Sequence, residues 1–318
     1  MRWRRVAIIG VGLMGGSLGL ALKSRDLAGT VVGMGRRKRS LLAARRRGAC
    51  DEITTDAAAA VHDAEVVVLA TPVGAVVPLI KGAAAALNPQ AVVTDLASTK
   101  SHIVRAVETA LRQEQVRFVG GHPLVGSDRK GVEHARGDLY EGATVILTPI
   151  ESTDPRALEV VTDLWQAVGA KVALLSPEEH DAILAQTSHL PHLVCAALIN
   201  ALAGGWGRYV GPGFLDTTRI AASDPDLWKD VFLSNAAEVI RALARFRKEV
   251  QNLENALAAD PDALQRLLAR AQRVRRNLSG RAASTEALRG WNTCSSHSQT
   301  PEASAPLGEG SREGSPAR

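Results

Sequence analysis

Aromatic residues are few: five Trp, two Tyr and four Phe in 318 residues. A core must therefore be built from Ala, Val, Leu and Ile, and a nucleic-acid face of aromatics interleaved with cations has nothing to be built from. Cysteine is scarcer still. Cys50, Cys195 and Cys294 are odd in number, far apart and without CxxC or Cys/His spacing. That excludes a disulfide framework and a zinc site, and no metal is expected. No uninterrupted apolar run reaches roughly 18 residues, the length wanted for a membrane span. The glycine-broken run after Arg5 lacks a small-residue cleavage pattern and reads as strand-turn-helix, not as a signal peptide. A cytoplasmic protein with no membrane partner is expected.

What the chain has in excess is positive charge, with 38 Lys+Arg against 33 Asp+Glu and a net charge of +5. The excess sits in Arg2–Arg5, in Arg36–Arg39 and in Arg45–Arg47. Basic clusters are the electrostatic footprint of nucleic-acid binding, but no nucleic-acid motif accompanies these. Solvated surface, or the phosphate of a small ligand, explains them better.

The first half alternates short Val-rich runs with helical periods. "RVAIIG", "TVVGMG", "AEVVVLATP", "AVVTDLAS", "RFVGGHP" and "TVILTP" read as strands, and Leu13 to about Ser24 as a helix. Continuous apolar strands bury both faces, as in a parallel sheet with helical crossovers. The expected fold is α/β: an N-terminal Rossmann-type doubly wound parallel sheet over residues 1–175, followed by an all-α C-terminal domain over 176–280. The second domain opens with Ser176 as N-cap, Pro177 in the first turn and Glu179 completing a capping box. Asp224-Pro225 and Asp260-Pro261 repeat the cap-plus-proline start, and Gly280 closes the last helix. Long helices make this domain a natural surface for a homodimer. Residues 281–318, rich in Ser, Gly, Pro, Glu and Ala, read as a disordered tail.

Gly10, Gly12 and Gly15 follow a strand and open a helix, the context that turns a GxGxxG pattern into a dinucleotide-binding fingerprint. Gly10 permits the tight turn, Gly12 admits the pyrophosphate and Gly15 lets the helix pack on the strand. Leu13 and Met14 start the helix whose N-terminus meets the phosphates, and Thr71, at the end of a neighbouring strand, joins the cofactor-binding set. The end of the second strand would carry an acidic residue in an NAD site. Here it carries Gly35, then Arg36, Arg37, Lys38, Arg39 and Ser40. That favours NADP, with NAD usable; the alternative is a solvated basic loop.

Four further stretches carry chemistry. "DLASTK" ends a strand at the nicotinamide face and holds Ser98. "GGHPLVGSD" puts His122 at a strand end, with glycines leaving room around the imidazole. "TSHLPHLV" sets His189 and His192 on an otherwise apolar helix. "GFLDTTRIAASDP" carries Asp216 and Arg219 in a short connection between helices. Each alone has a bland reading: a surface histidine, satisfied core histidines, an Arg219–Asp216 pair. Together they give a nucleotide, an imidazole beside it, and polar groups from the second domain.

"GGHPLVGSDRKGVE", "DLYEGATVILTP", "SHLPH" and "GFLDTTRIAASDPDLW" resemble, in order and from Val6 to roughly Leu278, the prephenate/arogenate dehydrogenase family of tyrosine biosynthesis. The resemblance implies oxidative decarboxylation of prephenate to 4-hydroxyphenylpyruvate, or of arogenate to tyrosine, with NAD or NADP. It implies that His122 is the catalytic histidine at the substrate hydroxyl and that Ser98 orients that hydroxyl. It implies that Arg219 anchors a substrate carboxylate, with His192 and His189 beside the substrate and Asp216 and Asp128 as an acidic gate. The chain departs from the pattern at Leu215, where many relatives carry Lys or Arg. A dehydrogenase of another family would want a catalytic lysine where this chain has His189, Pro191 and His192. A non-catalytic NAD(P)H sensor would not need His122, Ser98 and Arg219 together.

Overall fold

The computed structural model describes residues 2–111, 116–125 and 129–283. The first half builds β1 (Trp3–Ile9), α1 (Leu13–Ser24), β2 (Ala28–Met34), α2 (Lys38–Arg46), β3 (Glu52–Thr54), α3 (Ala57–Val61) and β4 (Val66–Leu69). It continues with α4 (Val73–Ala83), β5 (Val92–Asp95), α5 (Ser101–Leu111), β6 (Arg117–Pro123), β7 (Thr144–Thr148), α6 (Pro155–Ala167) and β8 (Lys171–Leu174). The strands form one sheet in the order β3-β2-β1-β4-β5-β6-β7-β8. β1 to β6 are parallel, in the Rossmann order 3-2-1-4-5-6, which reverses direction of winding between β1 and β4.

The Val-rich runs are continuous because each strand is covered twice. Val6, Ile8, Val66 and Val68 pack under Leu18 and Leu22 of α1, Leu41 of α2 and Leu164 of α6. Their sequence neighbours Ala7, Ile9, Val67 and Leu69 point the other way, to Val61 of α3, Val76 and Ile80 of α4 and Ile103 of α5. Side chains alternate across a strand, so a sheet with two covered faces shows no polar alternation.

Three features depart from the sequence reading. β3 and β8 were not anticipated; "EIT" has no apolar run, and the short run in "KVAL" is only partly buried. β7 runs antiparallel to β6, because strand direction leaves no mark on composition. The helix expected to close at Gly280 continues to Ala283.

Beyond β8 the regular elements among the described residues are helical. α7 (Pro177–Leu184) starts with the expected capping box, Ser176 and Glu179 each accepting from the other's backbone N–H. A π-helical turn, Ala185–His189, joins it to α8 (Leu190–Asn200). Then come α9 (Pro212–Thr218), α10 (Pro225–Ser234), α11 (Ala236–Ala259) and α12 (Pro261–Ala283). Asp224 caps α10 by accepting from the N–H groups of Asp226 and Leu227, and Asp260 accepts from Ala263 N at 2.8 Å. Packing divides the chain within α11: residues up to 254 form one compact unit and those from 255 a second.

The continuous helical run Pro177–Asn200 is long and apolar enough, by length and composition alone, to cross a membrane. The same run carries His180, Asp181 and His189, all buried against polar partners. Among the described residues the core of this helical part is small, built on Ala185, Val239 and Ala242. Leu198, Ile199, Leu233 and Ile240 meanwhile stay exposed.

Candidate active site

The glycine turn between β1 and α1 is tightly packed at two of its three glycines and open at the third. Gly10 has φ +105°, and a Cβ there would lie 2.3 Å from the Ala70 carbonyl oxygen. A Cβ on Gly15 would lie 2.1 Å from the Gly10 carbonyl oxygen and 2.9 Å from Ile8 Cγ2. On Gly12 it would meet no atom within 4 Å. That open side faces the start of α1, whose N-terminus has no side-chain cap and no acidic residue. Its N–H groups and positive dipole end are a ready anion site. Beside the turn, Thr71 Oγ1 is buried with no hydrogen-bond partner among the described residues, the state of a hydroxyl that a ligand satisfies. Gly12, Leu13, Met14 and Thr71 would therefore hold a dinucleotide pyrophosphate.

The glycines separate in experiment. Gly15→Ala is expected to destabilise the fold by about 1–3 kcal/mol, because its new methyl meets backbone oxygen. Gly12→Ala should leave the melting temperature unchanged and weaken NAD(P) binding, both read from thermal melts and cofactor titration. A Gly12→Ala protein that binds cofactor normally would remove the pyrophosphate from that position.

His122 lies in β6, one residue before its end, and is half-buried. The glycines before it do not make room for the ring, as the sequence reading supposed. Cβ atoms on Gly120 and Gly121 would meet Thr148 Oγ1 at 2.5 Å and the Asp95 carbonyl oxygen at 2.8 Å, so they let β6 pass close to its neighbours. The ring is instead held from one side: His122 Nδ1 is 2.9 Å from His180 Nε2, and the two rings meet edge to face. His180 Nδ1 is 2.8 Å from Asp181 Oδ1. Asp181 also accepts from the backbone N–H groups of Lys100 and Ser101, at 2.8 and 2.9 Å.

Under this network lies a wholly buried ion pair. Lys100 Nζ donates to Asp95 Oδ2 and, at 2.8 Å, to the Gly121 carbonyl. His180, Asp181 and Lys100 were missed as functional residues. "SPEEHD" was fully explained by its capping box, and nothing local shows that a residue 58 positions from His122 meets it.

Burial first, then the neighbouring His180, Lys100 and His189, which would repel a second positive charge, hold His122 well below the usual histidine range. Burial lowers His180 too, against the pull of Asp181. Asp181 is held below the usual carboxylate range: burial works against this, but the His180 hydrogen bond and two backbone donors outweigh it.

His189 closes the π-helical turn and is 1% exposed. Asn235 Nδ2 donates to the Asp181 carbonyl at 2.8 Å and faces His189 Nδ1 at 3.2 Å. A carbonyl only accepts, so this atom is the amide nitrogen and His189 Nδ1 is the acceptor. The proton of neutral His189 then sits on Nε2, which is buried without a partner among the described residues. His192 stacks on Trp228 with ring centres 3.4 Å apart, and its Nδ1 donates to the Ser188 carbonyl at 3.1 Å.

The remaining expected site residues are spread. Ser98 follows β5 and is half-buried. Asp216 is not in a connection: it belongs to α9, and Arg219 opens the 3-10 turn Arg219–Ala222, both on the solvent side. Leu215 is exposed beside them. Asp128 lies outside the described residues.

Burial pushes His189 down to about 4, which makes a stability statement. Between pH 6.5 and 4 the unfolded chain binds a proton that the folded one refuses, so stability falls as pH falls through that window. For His189 alone the loss is about 3 kcal/mol. Denaturant midpoints at pH 7 and pH 4.5 should differ accordingly, and less so in His189→Gln. Equal pH sensitivity in the two proteins would contradict the assignment.

A Rossmann sheet with an uncapped glycine turn at its switch point, and a neutral imidazole network at the strand ends, defines a nicotinamide-dependent dehydrogenase. Residues 18–174 match the family described as prephenate dehydrogenase, nucleotide-binding domain, and residues 176–270 its dimerization domain. The chain belongs to the prephenate dehydrogenase family. It is 32% identical over 255 residues to the prephenate dehydrogenase of Bacillus subtilis, covering 78% of this chain and 68% of that one. The crystal structure of prephenate dehydrogenase from A. aeolicus, in complex with hydroxyphenyl propionate and NAD+, is similar at TM-score 0.81 and 36% identity. That match covers 86% of this chain and 98% of the other. Synechocystis arogenate dehydrogenase is similar at TM-score 0.75 and 29% identity, covering 86% of this chain and 99% of that one.

Proposed function

We propose that the protein converts prephenate to 4-hydroxyphenylpyruvate and carbon dioxide in tyrosine biosynthesis, with NADP preferred over NAD. The observation that carries the reaction is the neutral, oriented His122 imidazole at the end of β6, in a chain whose glycine turn fits a dinucleotide. The bound nicotinamide supplies a hydride acceptor. His122 takes the proton of the ring hydroxyl as its carbon becomes a carbonyl, the task of a positioned neutral base. Loss of the ring carboxylate as carbon dioxide then returns an electron pair to the ring and makes it aromatic. The resulting phenolate oxygen takes the proton back, so no net proton leaves the site. Ser98 orients the hydroxyl. The buried Nε2–H of His189 offers a donor to the substrate, and Arg219 offers a planar fork to a carboxylate. Asp216, three residues before Arg219, supplies the acidic side of a gate near it.

Arogenate, with an amine in place of the side-chain keto group, is the second reading. The likeness to an arogenate dehydrogenase supports it. Two copies pair through the helical part, whose exposed Leu198, Ile199, Leu233 and Ile240 would be covered.

The NADP preference rests on the end of β2. A Cβ on Gly35 would have Leu41 and Val11 as its nearest neighbours, at 3.4 Å or more. An acidic side chain would therefore fit there, and the sequence has none. Arg36 and Arg37 are exposed, and α2 begins with Lys38 and Arg39 and no acidic residue. A helix N-terminus disfavours cations, so this crowding of four of them is relieved by a 2′-phosphate. Gly35→Asp with Arg36→Ser is expected to swing kcat/KM toward NAD by at least about tenfold, since it restores the carboxylate and removes a forked donor. A wild-type protein with the higher kcat/KM on NAD would end this part of the reading.

A further inference from the structure

Asp181, kept as a carboxylate by the backbone N–H groups of Lys100 and Ser101, can only accept hydrogen bonds. The atom facing it at 2.8 Å, His180 Nδ1, must therefore carry a proton. His180 is wholly buried and sits within reach of the Lys100 ammonium as well as Asp181 and Asp95. It is neutral, and its Nε2 holds a lone pair. Across 2.9 Å from that lone pair lies His122 Nδ1. Were His122 protonated on Nε2 instead, two nitrogen lone pairs would face each other at hydrogen-bond distance. One arrangement of protons satisfies every pair.

We propose that His180 and Asp181 are positioning residues that fix His122 as the Nδ1–H tautomer, so that Nε2 is the atom that takes the substrate proton. Three backbone and side-chain anchors hold the pair. Asp181 is gripped through both oxygens by the Lys100 and Ser101 N–H groups, and its own carbonyl is held by Asn235. Lys100 is pinned by Asp95 and Gly121, so the residue before His122 is tied to the same cluster.

Interposing an imidazole between carboxylate and base has a chemical consequence. A carboxylate in direct contact would favour the imidazolium strongly. At one ring's remove it still dictates which nitrogen carries the proton, and it still stabilises the charge when His122 accepts one. The resting base stays neutral. The comparable loss of a tautomer-fixing acid in a serine protease triad costs several orders of magnitude.

This inference deepens the proposed reaction and rests on His122 being its base. Its test, however, does not need turnover. Protein labelled with ¹⁵N-histidine is examined at pH 7 in long-range ¹H–¹⁵N correlation spectra, with His122 identified by its disappearance in His122→Asn. The expected result is a protonated Nδ1 and an unprotonated Nε2 for His122. A protonated Nε2 would overturn the proposal even if the enzyme is fully active. In His180→Leu the Nδ1–H tautomer should be lost and kcat should fall about 10²-fold. His180→Gln, whose side-chain oxygen can accept from His122 Nδ1, should recover most of both. Wild-type kcat in His180→Leu would also overturn it. Should these buried substitutions prevent folding, the wild-type spectrum alone decides. If the spectrum is as expected but prephenate and arogenate are not turned over, the tautomer assignment stands and the reaction assignment fails.

Discussion

His122→Asn is expected to lower kcat by about 10²–10⁴-fold, the contribution of a positioned acid–base group, with cofactor affinity and melting temperature little changed. The ring lies at the end of β6, while the dinucleotide turn is built from β1, α1 and the end of β4, so removing one side chain does not reach the other. Asparagine leaves a polar group opposite His180, which limits the cost of an unsatisfied buried lone pair. Stopped turnover combined with a normal melt would tie the loss to chemistry. Near-normal kcat would remove His122 from the mechanism.

Arg219→Ala should act on the other kinetic constant. A carboxylate is bound in ground and transition states alike, so its loss raises KM and leaves kcat nearly unchanged. Arg219 opens the Arg219–Ala222 turn on the solvent side, so an ion pair with substrate there would form at a partly wet site. A charge-assisted contact of about 1.5–3 kcal/mol is appropriate there, which corresponds to a KM increase of about 10–100-fold. A purely structural role predicts the opposite pattern, a lower melting temperature with KM unchanged. Steady-state kinetics and a thermal melt on the same preparation separate the two.

Much of the fold was legible because its signals are local. The glycine turn is written in three residues, and their separate jobs follow from which side each Cβ would occupy. The caps at Ser176, Asp224 and Asp260 are equally short-range, and the structure keeps all three. What escaped notice is settled at a distance. β8 is a short strand recognised only through its pairing with β7, and the reversal of β7 depends on the chain path from 124 to 143, not on the composition of "TVILT". The position of Arg219 was misjudged for a related reason: "GFLDTTRIAASDP" has the look of a connection but winds into α9 and a 3-10 turn.

The site shows the same division. His122 could be singled out because "GGHPLVGSD" stands with three other polar stretches and within a family-like motif, although alone it reads as a surface histidine. His180 could not. Its segment already had a complete explanation as a helix start, and the capping box hid a second use of the same turn. Lys100 was noted only as the end of a polar stretch, whereas its side chain is fully buried just beyond the end of β5 and neutralised by Asp95. A buried lysine–aspartate pair is weak evidence for stability. Its link to the residue preceding His122 gives it a reason to be there.

The most direct measurement of the central claim mixes purified protein with prephenate and NADP and follows three products at once. The account predicts reduced nicotinamide, carbon dioxide and 4-hydroxyphenylpyruvate in equal amounts, with slower turnover on NAD. Turnover confined to arogenate would move the assignment to the alternative substrate. No reduced nicotinamide from either substrate with either cofactor would contradict the account.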